Sequence, residues 1–119
     1  MDVKLLAEWF WTDRWIGSSA FLLPLEMRGL YREMLTQAWR RGARLPLSET
    51  AIKRAVGATD EEWARTWPYI TTYWHESKGG VLVNDTQVEV YNETQHRVQT
   101  ASDKGRKGAR ARWGNGRGR

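Results

Sequence analysis

The positive charge of this chain is concentrated in its last seventeen residues, and this limits where a folded domain can form. Residues 103–119 contain seven Lys or Arg side chains, five glycines and one acid, Asp103, for a net charge of +6. The whole chain has a net charge of +5, so residues 1–102 hold 12 basic and 13 acidic side chains and have a net charge of −1. Trp113 is the one large apolar side chain after residue 102, which is too little to offset the entropy cost of ordering. We therefore predict a folded domain at residues 1–102 and a flexible, disordered basic arm at residues 103–119.

The composition excludes several classes of protein. The chain has no cysteine, which excludes a disulfide scaffold, a thiolate metal site and a cysteine nucleophile. No apolar run approaches the eighteen or so residues that a membrane span requires. The N-terminal residues also lack the basic start, apolar stretch and small-residue cleavage site of a signal peptide. We expect a cytoplasmic protein without a membrane partner.

Tryptophan is unusually frequent, with eight residues in 119. Large flat side chains fill the space between a few elements efficiently. We therefore predict a core role for the seven tryptophans of the domain, which are Trp9, Trp11, Trp15, Trp39, Trp63, Trp67 and Trp74.

Three helices are predicted in the middle of the chain. Between Leu25 and Arg41, apolar residues recur at spacings of three and four, which is typical of an amphipathic helix. A short helix capped by Ser48 is predicted to run to Val56 and to stop at Gly57. The sequence TDEE at 59–62 fits a capping box that starts a third helix, which Pro68 is expected to kink or break.

Short strands are predicted on either side of these helices. The aromatic-rich residues 7–12 favour a strand, with Asp13 as the cap of a brief helical turn. Residues 72–75 and 81–83 favour a hairpin around the turn at 76–80. Residues 45–47 are predicted to be an extended link, and a last helix is expected to start at Asp85 or Thr86 and to fray near Ser102. Two short helices meeting at Gly57 and followed by a hairpin predict an α+β, mainly α, winged-helix fold.

Residues for catalysis are not arranged in any recognisable pattern. His75 and His96 lie on different predicted elements, without a second ligand at helical spacing. The glycines of the arm follow no strand and do not end in a phosphate-loop motif. We predict a binding protein with no catalytic residue, no cofactor and no metal.

The predicted partner is nucleic acid, and DNA is the favoured kind. In a winged helix the third helix normally reads base edges, but here it begins with three acids at 60–62, which phosphates would repel. The better candidates are basic side chains elsewhere and Trp113, whose ring could stack on a base or enter a groove. The predicted contact residues are Lys53, Arg54, Lys78, Lys104, Arg106, Lys107, Arg110, Arg112, Trp113, Arg117 and Arg119.

A protein–protein adaptor or inhibitor is the alternative. The acidic third helix and the tryptophan-rich domain could present a surface to a protein partner. Val88, Tyr91, Gln95 and Val98 approximate a heptad seam, which leaves a homodimer open.

Three segments carry a resemblance to a known family. They are PLEMRGLYREMLTQAWRRGARLP at 24–46, ATDEEW at 58–63 and ASDKGRKGARARW at 101–113. Together they resemble the YdaU-like family of phage and prophage proteins, which is itself similar to the N-terminal domains of phage replication initiators. The resemblance implies a winged-helix fold, a bacterial host cell, and a role in DNA replication, its control or transcription regulation, with a protein of the replication machinery as a further partner. It implies no catalytic residue.

Overall fold

Helices dominate the architecture of the computed structural model, which describes residues 5 and 7–117, with side chains described as far as Arg110. Two short 3₁₀ turns, Ser19–Leu22 and Thr71–Tyr73, connect the longer elements. The described elements are, in chain order, α1 (Thr12–Ile16), α2 (Leu25–Arg40), β1 (Leu45–Pro46), α3 (Glu49–Val56), α4 (Asp60–Ile70), β2 (His75–Ser77), β3 (Val81–Val83) and α5 (Asp85–Arg117). The predicted α+β, mainly helical class is confirmed.

The central helix α2 organises the core, as its apolar periodicity predicts. Its buried side chains include Leu30, Met34 and Ala38, which follow one stripe. The helix packs against α3, α4 and α5. The fully buried large side chains come from four different elements, so one core joins them: Met34, Leu45, Ile52 and Ile70.

The caps of α3 and α4 form as the sequence predicts. The Ser48 hydroxyl accepts a hydrogen bond from the Ala51 amide, and Gly57 ends α3 in the left-handed conformation at φ 73°. Thr59 and Glu62 form a complete capping box at the start of α4. Pro68 does not break the helix at its own position, since α4 continues to Ile70 before the second 3₁₀ turn begins at Thr71.

The small sheet contains one strand more than the sequence predicts. The strands are antiparallel in the order β1–β3–β2. Leu82 of the central strand β3 pairs with Leu45 of β1 on one side and with Glu76 of β2 on the other. Residues 45–46, predicted as an extended link, are therefore an edge strand. The hairpin forms, but β2 starts at His75 because residues 71–73 belong to the 3₁₀ turn.

The predicted strand at residues 7–12 is wrong. Residues 7–11 belong to no strand, Thr12 begins α1, and Asp13 lies in the first turn and is not its cap. This segment instead lies across α2, where the Trp39 Nε1–H donates to the Ala7 carbonyl at 3.0 Å. A helix surface offers no free backbone groups for strand pairing, so β propensity alone cannot make a strand here.

The last helix is longer than predicted. α5 runs without a break past Ser102 to Arg117, where the sequence predicts fraying and a disordered arm. The reason is that propagation of an existing helix costs far less than nucleation, and Lys, Arg and Ala are good helix formers. The chain consequently extends 71 Å along its longest axis. Within the described residues, no helix is both long and apolar enough to cross a membrane.

The start of α5 packs on the domain through a second apolar cluster. This cluster contains Trp39 and Ala43 of the α2 end together with Val90 and Tyr91 of α5, and Val88 packs against it. Val88 and Tyr91 therefore lie within the monomer and do not form a free dimer seam. Dimerisation stays a prediction.

The tryptophans divide into buried and exposed groups. Trp39, Trp63 and Trp74 are buried, as predicted. Trp15 and Trp67 are partly buried and pack against the main core. The core assignment is wrong for Trp9 and Trp11, which are 45% and 41% exposed.

Candidate nucleic-acid interface

The basic helix segment, defined as residues 103–117 of α5, presents four exposed cations on one broad face. Lys104, Arg106, Lys107 and Arg110 are all exposed. At about 100° per residue, these positions follow one another around the helix in the order 106, 110, 107 and 104, roughly 40°, 60° and 60° apart. The segment thus offers positive charge over one continuous face of roughly 160°.

The remaining predicted contacts of the arm are only partly described. Arg112, Trp113 and Arg117 are helical in their backbone. By helical spacing, positions 106, 110, 113 and 117 follow one stripe. Arg119 lies outside the described residues.

One acid accompanies these cations. Asp103 accepts hydrogen bonds from Arg106 and from the Gln99 Nε2 amide, the latter at 3.1 Å. An exposed ion pair between neighbours on a helix contributes at most about 1 kcal/mol. A phosphate can therefore replace Asp103 as the partner of Arg106 at little cost.

The predicted contacts of the domain lie on separate elements. Lys53 forms an ion pair with Asp60 of α4, which neutralises it locally. Arg54 is exposed on α3, and Lys78 is exposed in the turn between β2 and β3. Of these three side chains, only Arg54 and Lys78 present an unpaired charge within the described part of the chain.

The exposed start of α4 is acidic. Asp60, Glu61 and Glu62 are all exposed in its first turn. The Thr59 backbone amide donates to the Glu62 carboxylate at 2.9 Å, and this hydrogen bond lowers the pKa of Glu62. The nearby Arg65 donates to the Glu26 carboxylate at 2.6 Å, so its charge is already paired. This face is unsuited to a phosphate backbone.

The sequence interpretation missed an aromatic site at the N-terminal segment. Residues 7–11 are held on α2 by Thr36, which donates to Glu8 at 2.8 Å, and by Arg32, which lies 3.7 Å from the centre of the Phe10 ring. Between this segment, α2 and the start of α5 lies a pocket of about 240 Å³, which we call the tryptophan pocket. Its lining includes Trp9, Trp11, Trp15, Tyr31, Asn84 and Gln87. The clustering of three tryptophans at 9, 11 and 15 was the available signal, but it predicted core packing.

Comparison with known proteins adds no assignment. No family model matches the chain, and neither a curated protein nor a solved structure matches it.

An ion pair fixes the start of α5 to the hairpin. His75 Nε2 of β2 lies 2.5 Å from the Asp85 carboxylate, and this hydrogen bond raises the pKa of His75 above its ordinary value. His75 is thus an exposed residue paired with a carboxylate.

The pairing predicts a pH dependence of stability. Because the folded-state pKa of His75 is raised, its contribution is complete below about pH 6.5, the unfolded value, and is lost as the pH rises through the raised pKa. We expect the Asp85→Asn variant to return the pKa of His75 toward the ordinary value, measured by NMR titration of the imidazole. The stability difference between the wild type and this variant should be larger at pH 6 than at pH 8.5. An unchanged His75 titration in Asp85→Asn would contradict the assignment.

Proposed function

We propose that this chain is a nucleic-acid-binding protein of winged-helix type whose basic helix segment supplies the main phosphate contacts. The observation that carries the proposal is the broad exposed face that Lys104, Lys107, Arg106 and Arg110 form on one helix. These side chains lie in a region of net charge +6, attached to a domain of net charge −1. Polyanions bind such segments through release of their counterions.

The order of elements supports the winged-helix part of the proposal. In this interpretation α3 and α4 form the helix-turn-helix around Gly57, and the β2–β3 hairpin with Lys78 at its turn is the wing. The sheet order β1–β3–β2 places the hairpin against the strand that precedes α3. Because α4 begins with three exposed acids, the nucleic-acid contact is assigned to α5 and not to the helix that usually reads bases.

The family resemblance gives the biological setting of the proposal. A YdaU-like phage or prophage protein would bind DNA during replication or its regulation, in the cytoplasm of a bacterial host. The helical form of the segment favours affinity through phosphates, since its four described cations spread over roughly 160° of the helix surface and do not form a narrow stripe for reading bases.

A salt titration tests the proposal. Fluorescence anisotropy would follow binding to a labelled 20-nucleotide single strand and a 20-bp duplex. If most of the seven cations reach phosphates, the log–log dependence on salt has a slope of roughly −4 to −6. The full-length variant with Lys104, Arg106, Lys107 and Arg110 all replaced by Gln, and the 1–102 truncation, should lose most of the affinity and show a flatter slope.

The matched control removes charge from another helix. Replacing Lys53 and Arg54 of α3 by Gln should change the affinity by only a few fold, because Lys53 is already paired with Asp60. Equal affinity of the wild type and the four-Gln variant for the oligonucleotides would contradict the proposal.

A protein–protein adaptor or inhibitor is the second candidate. The observation that favours it is the exposure of Ile16, Leu22 and Leu25 around the start of α2, in addition to the acidic start of α4. If neither the full-length chain nor the truncation binds either oligonucleotide at low salt, the adaptor is the better assignment.

A further inference from the structure

The tryptophan pocket has the size and walls of a site for one flat ring. Its volume is about 240 Å³, somewhat more than the engineered cavity of about 150 Å³ that takes up benzene. Trp9 and Trp11 meet edge to face at 5.7 Å between ring centres. Both side chains are exposed although tryptophan usually buries its large surface. A partner ring that stacks on these indoles would cover them.

The wall of the pocket contains an acceptor without a donor. Gln87 is only 6% exposed, and its Nε2 donates to the Leu35 carbonyl at 2.6 Å. Its Oε1 is buried and receives no hydrogen bond from the described residues. Buried polar atoms are nearly always paired, because an unpaired one costs free energy. Less than 1 Å² of this oxygen is accessible, so an occupant of the pocket pairs with it only after a shift of the Gln87 side chain. A nucleic-acid base brings an N–H donor on a flat ring for that pairing.

Positive charge lines a route from this pocket to the basic helix segment. Arg14 lies at the pocket and is exposed. The Arg97 guanidinium of α5 lies 4.9 Å from the centre of the Trp9 ring. Lys104 follows Arg97 by seven residues, on nearly the same face and about 10 Å further along the axis. Glu93 is an acid beside this route, and within the described residues neither Arg14 nor Arg97 forms an ion pair.

We propose that the tryptophan pocket accepts an unpaired base, so that the nucleic acid bound by this chain is single-stranded. The base stacks on the Trp11 ring with Trp9 beside it, and the adjoining backbone follows Arg97, Lys104 and Lys107. Aromatic platforms beside a line of cations are the usual means of binding single strands. A duplex keeps its bases stacked and cannot fill the pocket. An aromatic side chain of a protein would fit the ring site, but it would leave the line of cations unused. The inference rests on the proposed nucleic-acid binding.

The test compares two exposed aromatic residues. Trp11→Ala removes the stacking platform, and Tyr69→Ala removes an aromatic ring on α4 that is 57% exposed and does not line the pocket. Binding is measured by anisotropy with labelled dT20 and with a 20-bp duplex. We expect the wild type to prefer dT20, and Trp11→Ala to lower its affinity for dT20 by about tenfold to a hundredfold. Duplex binding by Trp11→Ala, and both affinities of Tyr69→Ala, should stay within about twofold of the wild type.

A crosslinking experiment locates the base without relying on a variant. Irradiation of the wild type with dT20 carrying 5-iodouracil should crosslink the peptide that contains residues 9–11. A crosslink confined to the basic helix segment, or an equal loss of single-strand and duplex binding in Trp11→Ala, would overturn the inference. An affinity of Trp11→Ala for dT20 equal to that of the wild type would also overturn it. If one of these results overturns the pocket inference, loss of binding in the four-Gln variant would still support the proposed nucleic-acid binding. If the wild type itself bound neither oligonucleotide, the proposed function and the pocket inference would both be wrong.

Discussion

Replacing Trp39 with alanine is expected to lower the free energy of unfolding by about 3–5 kcal/mol. The indole is 3% exposed, and its ring lies 4.8 Å from that of Tyr91 on α5. Its Nε1–H donates to the Ala7 carbonyl at 3.0 Å. One side chain therefore joins the end of α2 to α5 and to the N-terminal segment, and its removal leaves a cavity where these three parts meet.

Urea denaturation followed by circular dichroism measures this effect. The Trp39→Phe variant retains an aromatic ring but loses the donor to Ala7, so it should cost less than Trp39→Ala and should increase amide exchange in residues 7–11. Trp11→Ala is the matched exposed control and should change stability by less than about 1 kcal/mol. If Trp39→Ala were no more destabilising than Trp11→Ala, the role of Trp39 as the junction would be wrong.

The middle of the chain could be predicted because its signals are local. The apolar stripe of α2, the Ser48 cap and the Thr59–Glu62 capping box each lie within a few turns of sequence. Gly57 has φ 73°, which most other residues avoid, so the turn between α3 and α4 is also encoded at one position. These elements formed where the sequence placed them.

The errors occur where structure depends on distant partners. Residues 45–46 become a strand only because β3 offers an edge more than thirty residues later in the sequence. Residues 7–11 have strand-like composition, but they lie on α2 through the hydrogen bonds of Ala7 and Glu8 and find no edge to pair with. Propensity contains no information about which edges are free.

The candidate site shows the same division. The cations of the basic helix segment could be identified from charge alone, but their arrangement on one helix face depends on continuation of α5 beyond Ser102. Each glycine in this segment costs about 1 kcal/mol relative to alanine, which is why its composition predicts disorder. The tryptophan pocket could not be predicted, because an exposed tryptophan and a buried one have the same sequence signature.

Asn84 is the residue whose loss we expect to affect the attachment of α5 most directly. It is buried at the position before α5, and its Oδ1 accepts the Gln87 amide at 3.0 Å, which caps the helix. Its Nδ2 donates to the Tyr31 hydroxyl at 2.8 Å and to the Tyr73 carbonyl at 3.0 Å. Tyr31 is itself buried, and this burial raises the pKa of its phenol. Asn84 therefore ties the helix start to α2 and to the turn before β2.

The Asn84→Ala variant should be less stable than the wild type by about 2–4 kcal/mol, because a helix cap, one buried hydrogen bond and one partly buried hydrogen bond are lost together. Asn92→Ala removes an exposed asparagine of the same helix and should change stability by less than about 0.5 kcal/mol. Urea denaturation of the three proteins measures the difference. Because Asn84 also lines the tryptophan pocket, Asn84→Ala should weaken dT20 binding more than Asn92→Ala at temperatures where both variants are folded. Equal stability of the two variants would mean that packing of Val90 and Tyr91 alone holds α5 on the domain.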